Sequence, residues 1–165
     1  MKVAEKTSMH LRSAIMAARN PKRHADAWGY LAQAREISQR IGRETSHYGL
    51  IFGPTNVKIH EVATAIELDD PDEAIRRTEG FQLPAGLPAE RSSHHYIDVA
   101  RAELMTGRRK QSLNALIRAD RLAPQHTRNH PMARETVTGL IHLHKQLPES
   151  LRSLSRRMRV EAALS

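Results

Sequence analysis

Ten histidines are the first residues to test for chemistry, because an imidazole can ligate a metal or move a proton near neutral pH. Their spacing argues against either role. His94 and His95 are adjacent and cannot share a helix face. His142 and His144 are two apart and point to different sides. His126 and His130 are four apart, but Pro131 and the polar flanks predict a loop. No His-Glu-x-x-His, phosphate loop or nucleophile elbow is present. The carboxylates Asp69, Asp70, Asp72 and Glu73 flank a turn, where they cap and charge a helix start. The expectation is therefore a non-enzyme with no catalytic residues, no metal and no cofactor.

A binding surface fits the remaining polar residues better. Asn56 and His60 are four apart, on one face of a predicted helix. On a later helix His94, Arg101 and Met105 share a face, with Ile97 between them. Asn both donates and accepts hydrogen bonds, and Arg offers a bidentate fork, so the pair suits a peptide backbone or a carboxylate. These six residues are the candidate ligand groove. The same residues also fit a purely structural role, with Asn56 bracing the Phe52–Pro54 loop, His60 satisfied by its neighbours, and Arg101 salt-bridged.

The composition bounds what carries them. At 165 residues the chain suits one domain, 1–165, able to bury a continuous core. The aromatic fraction is only 4%, so the core must be built from Ala, Leu, Ile, Val and Met, which favours close-packed helices. Without cysteine, disulfides and thiolate metal sites are excluded. No apolar stretch reaches membrane-spanning length and Met1–His10 lacks a signal-peptide core, so a cytoplasmic protein with no membrane partner is expected. The formal charge is +8, and residues 81–165 hold most of it, with 14 basic against 7 acidic groups. Such an excess can attract polyanions. Arginine outnumbers lysine 20 to 6, which a GC-rich coding sequence would also produce.

Helical spacing runs through the chain. Helices are predicted over 2–19, 24–41, 55–68, 72–79, 89–106, 109–122 and 131–147, with an eighth after Pro148. Gly42 and Gly107 are stops, and Pro54, Pro71 and Pro131 sit where a first-turn proline is tolerated. A loop spans 43–53 with Tyr48, Leu50 and Phe52, a connector spans 80–88, and a polar loop runs from Pro124 to His130.

One stretch has a recognisable repeat. Tyr96-x-x-Val99-Ala100-x-x-Glu103, then Ser112-x-x-x-Leu116, then Pro124, is similar to the tetratricopeptide signature. Small residues at Ala100 and Ser112 let two helices approach, Val99 and Leu116 fill the space beside them, and Pro124 ends the second helix. Glu103 and Ser112 depart from the usual aromatic and alanine. Ala27, Leu31 and Ala34 repeat the small–bulky–small pattern, as does Ala74. The spacings of 47 and 38 residues exceed the ideal of about 34, so a distorted array is expected. The fold class is all-α, a tetratricopeptide-like antiparallel helical-hairpin array of about eight helices.

A narrower resemblance rests on Phe52-Gly53-Pro54-Thr55-Asn56-Val57, His60, Ala65-Ile66-Glu67-Leu68, Tyr96 to Arg101, Leu122-Ala123-Pro124 and His130-Pro131 with Arg134-Glu135. Over residues 20–145 the chain resembles the tetratricopeptide-like regulatory domain of actinobacterial helix-turn-helix regulators of the xenobiotic-response-element type. The resemblance implies a regulatory module that binds a peptide, small effector or protein partner, linked to DNA only indirectly. Residues 1–20 are too few for a three-helix DNA reader, so such a domain is expected to be missing and sequence-specific DNA binding is not carried over. The alternative is non-specific nucleic-acid binding through the basic second half. On the last helix (148–163) Leu151, Leu154 and Met158 form an apolar stripe beside Arg152, Arg156 and Arg159. That helix either caps the array or docks a partner helix, including that of a homodimer.

Overall fold

Small residues decide where these helices meet. In the computed structural model, which describes residues 2–42, 45–47 and 50–160, with side chains for 5–42 and 53–160, the chain divides into two compact units, Met1–Pro84 and Ala85–Ser165. The division falls inside the predicted 80–88 connector. Where the sequence suggests one domain, each unit holds its own core.

In the first unit, α1 (Lys2–Ala18) and α2 (His24–Ile41) form a helical hairpin. Ala14, Ala17 and Ala18 on α1 and Ala27 and Ala34 on α2 are all fully buried, and Leu11 and Leu31 fill the gaps between them. The turn contains one 3-10 turn, Pro21–Arg23, whose Lys22 amide donates to the Asn20 side chain at 3.1 Å. Gly42 stops α2 as predicted. Its φ of 66° is left-handed and its N–H reaches the Ser38 carbonyl at 3.0 Å.

The predicted loop 43–53 is corrected in part. Thr45–His47 (β1) and Leu50–Phe52 (β2) pair antiparallel, with Ser46 opposite Ile51. Three residues per strand are too few for a periodicity to show in sequence. Tyr48 lies outside the described residues.

Next come α3 (Pro54–Glu67) and α4 (Pro71–Thr78), both opened by proline. The Asp70 carboxylate caps α4, accepting the Glu73 amide at 3.0 Å. This is the role its sequence position implies.

The second unit comprises α5 (Ala89–Met105), α6 (Arg109–Leu122), α7 (Pro124–Asn129), α8 (Pro131–Leu143) and α9 (Glu149–Met158). Its core joins Ile97, Ala100, Leu116, Ala119, Val137, Leu140, Leu151, Leu154 and Met158. The α5–α6 pair carries the segment from Tyr96 to Leu122, with Pro124 just beyond it. Ala100, Ser112 and Leu116 are fully buried at its contact, and Tyr96 and Val99 pack against the same core. The Tyr96 ring also lies under the Arg118 guanidinium, 4.5 Å from its centroid.

Two boundaries need correction. Pro124 ends α6 as expected but also opens α7, so the predicted polar loop before His130 is a short helix. Ala123, forced toward an extended conformation by the following proline, separates the two. The α8 helix stops at Leu143, four residues before the predicted 147. Among the described residues there are nine α-helices and six strand residues, so the class is all-α. No helix among them is long and apolar enough to cross a membrane.

Candidate functional site

The six predicted groove residues divide between the two units. In the first, Asn56 and His60 share a face of α3, both half-buried, and the His60 Nδ1 lies 2.9 Å from the Asn56 backbone carbonyl. This contact within one helical turn gives His60 the satisfied, bracing arrangement that the structural alternative describes.

The first unit also holds a feature that residue spacing did not reveal. Glu61 on α3 is buried, and three cations from three helices surround it. Arg35 on α2 hydrogen-bonds to its Oε1, Arg77 on α4 lies 2.7 Å from its Oε2, and Lys58 lies 3.7 Å away. Arg77 is further fixed by Glu73 at 2.6 Å and by the Trp28 ring at 4.5 Å. A cleft of about 260 Å³ opens beside this group, with Arg35, Lys58, Glu61 and Arg77 in its wall. The Lys58–Glu61 pair is an i, i+3 contact within α3, but Arg35 and Arg77 reach Glu61 from α2 and α4, which residue spacing does not show.

In the second unit, α5 presents the rest of the predicted set. Ile97 is a correction. It is fully buried in the core and not open to a ligand, because the turn that places His94 and Arg101 on one face turns position 97 inward. Met105 is 46% exposed at the end of the helix. His94 and Arg101 stand either side of Asp98, a buried carboxylate absent from the predicted set. The His94 Nε2 is 3.8 Å from Asp98 Oδ2, and the Arg101 guanidinium is 3.8 Å from Oδ1. The spacing i, i+4, i+7 was legible, but the burial that makes Asp98 an organiser was not.

The same end of α5 meets α7 and the α7–α8 junction. A buried hydrogen bond of 2.7 Å between the Ser93 and Thr127 hydroxyls pins α5 to α7. That contact brings His126 and His130 against His94, all three half-buried. Their ring centroids are 5.8 Å (His94–His126), 4.8 Å (His94–His130) and 5.4 Å (His126–His130) apart. One nitrogen from each lies within 4.8 Å of the others. A loop over Pro124–His130, as the sequence suggests, would leave His126 and His130 unrelated. With α7 helical and His130 capping it, the four-residue spacing brings both onto one side.

Burial and neighbouring positive charge disfavour the charged form of His94, His95 and His130. Burial pushes His94 down to about 4, with His130, Arg91, His126 and Arg101 adding to the effect. His95 is likewise pushed to about 4, chiefly by burial and then by Arg91. His130 is lowered by burial, His126 and Arg101. At neutral pH these rings are neutral, and each keeps a lone pair. No protein-family model matches this chain, and neither a curated protein nor a solved structure with significant similarity was found.

Proposed function

We propose that the chain is a non-enzymatic interaction domain of tetratricopeptide-like build, the ligand-receiving part of a transcription regulator. Its guest is a peptide, small effector or protein partner, received in the second unit on the α5 face that bears His94, Asp98 and Arg101. The observation that carries this reading is the α5–α6 pair. Ala100 and Ser112 are fully buried where the helices touch, which commits one side of α5 to α6 and the core. On the polar side α7 and the α7–α8 junction cover the His94 end, and half-buried Arg101 with exposed Met105 is the part offered to a partner. A buried carboxylate holding a guanidinium and an imidazole fixes donors for a carboxylate or peptide carbonyl in advance, which lowers the ordering cost of binding.

The degenerate repeat and the resemblance of residues 20–145 to regulatory domains support the wider assignment. Non-specific nucleic-acid binding has less support, because much of the second unit's basic charge is already engaged. Arg128 and Arg157 both bind Asp120, at 2.8 and 3.0 Å, Arg134 donates to the Met158 carbonyl, and Arg109 donates to the Leu143 carbonyl at 2.6 Å.

The test is fluorescence polarisation with a library of labelled peptides that end in a free carboxylate, alongside their amidated counterparts. Binding of the carboxylate forms without turnover, weakened at least tenfold by Arg101→Ala with helicity unchanged, is the expected result. Equal affinity in Arg101→Ala would remove the α5 face from the reading.

A further inference from the structure

We propose that His94, His126 and His130 form a binding site for a late first-row transition metal ion, of which zinc(II) is the best match. The inference does not rest on the peptide-binding reading: it shares His94 and Asp98 with that face, but Arg101, on which the peptide test turns, is not a ligand, so the two can fail separately.

Geometry carries it. In a tetrahedral site the imidazole nitrogens sit about 2.0–2.1 Å from zinc, which places them about 3.4 Å apart and the ring centres about 5.2 Å apart. The three rings here have centroids 4.8, 5.4 and 5.8 Å apart, bracketing that spacing. Their nearest nitrogens fall within 4.8 Å, so rotations about the side-chain bonds are enough to converge on one ion.

A second, independent observation points the same way. The Nε2 of His126 and the Nδ1 of His130 are buried without a hydrogen-bond partner among the described residues. A buried polar atom left unpaired costs about 1–3 kcal/mol, and two in one three-residue cluster call for a missing partner. An electron-pair acceptor is the partner that converging imidazole nitrogens share.

The surroundings fit the same chemistry. Asp98 beside His94 stands where a carboxylate orients a ligating imidazole and offsets the ion's charge. Arg91 and Arg101 oppose a dication and Asp98 offsets only part of that, so binding would be carried by the imidazole lone pairs rather than by net charge. Imidazole-only ligation without thiolate selects zinc, nickel, cobalt or copper over calcium and magnesium. Three protein ligands leave a fourth position for water or an incoming donor. The ion would join α5 to the α7–α8 junction, elements already held by Ser93 and Thr127.

The experiment uses the full, tag-free chain stripped with chelator and dialysed against zinc chloride, with cobalt(II) chloride in a parallel arm. The expected result is one ion per chain, visible absorption bands of tetrahedral cobalt, and at least a hundredfold weaker uptake in His126→Ala and in His130→Ala. Asp98→Asn should weaken uptake by about 10- to 100-fold. Arg101→Ala, which keeps all three ligands, should still take up zinc. Circular dichroism confirms that each variant is folded, and His130→Gln replaces any variant that is not. Absence of stoichiometric uptake overturns the proposal. So does uptake that survives in folded His126→Ala and His130→Gln but disappears in His142→Ala, which would mark an adventitious ion only.

Discussion

The Ser112 hydroxyl donates a 2.8 Å hydrogen bond to the backbone carbonyl of Ala100, across the contact between α6 and α5. Both residues are fully buried, so the two helices meet almost backbone to backbone. Here the departure from the usual alanine has a physical use, because the hydroxyl satisfies itself on the neighbouring helix without widening the gap. Ser112→Ala should cost about 1 kcal/mol or less, since it removes one hydrogen bond and leaves the close approach intact. Ser112→Leu should cost about 3 kcal/mol or more, because its branches have no room in a packed contact. Urea unfolding of the two variants checks this, and equal destabilisation would show that the hydrogen bond, not the approach, holds the pair.

Asp120 ties three helices of the second unit together. Its buried carboxylate accepts from Arg128 just beyond α6, on α7, and from Arg157 on α9. Asp120→Ala should destabilise by about 3 kcal/mol, because both arginines lose a buried partner. Arg157→Ala alone should cost less, as Arg128 still satisfies the carboxylate. In a double-mutant cycle Asp120→Asn with Arg128→Ala should be less than additive. Additive losses would mean that the ion pairs contribute independently of the carboxylate they share.

Local signals were readable wherever one residue decides the outcome. The bounds of α2 and α6 follow from Gly42 and Pro124, and the α4 cap from Asp70, because left-handed glycine, proline and a side-chain acceptor each act within one turn. Relations across the chain were not readable. Pro124 reads as a stop in sequence but is equally a first-turn residue, so α7 and the placement of His126 and His130 do not show there. The triad with His94 and the cations around Glu61 depend on which helices pack together, which residue spacing does not encode. Ile97 reads as a groove residue in sequence because it lies only about 60° round α5 from His94 and about 40° from Arg101, so the core begins just beside the polar face.

Arg77 bridges Glu61 and Glu73 while lying over Trp28, the chain's one tryptophan. Tryptophan fluorescence therefore reports this network specifically. Arg77→Ala should shift the emission of the folded protein and cost about 1–3 kcal/mol. The cost stays below that of a fully buried pair because Arg35 and Lys58 remain beside Glu61. Arg77→Lys should keep part of the charge pairing but lose the flat stacking on the indole, giving the same spectral shift at a smaller cost. An unchanged spectrum in Arg77→Ala would place Trp28 outside the network.

Acid should weaken the second unit through His95 before the carboxylates protonate. His95 is 4% exposed and pushed from its ordinary value of 6.5 to about 4, with burial as the leading cause and Arg91 next. The folded state thus binds the proton more weakly than the unfolded chain, so stability rises with pH wherever the two differ. The full contribution is present above about pH 6.5 and is lost progressively as pH falls to about 4, amounting to about 3 kcal/mol for this one ring. Unfolding should be followed in chelator, so that no metal competes with protons for the neighbouring His94. His95→Gln removes one of the titrating groups, and the slope between pH 6.5 and 5 should become shallower in that variant, with His94 and His130 supplying what remains. Should wild type and His95→Gln lose stability in parallel over this interval, the proton uptake belongs to another group.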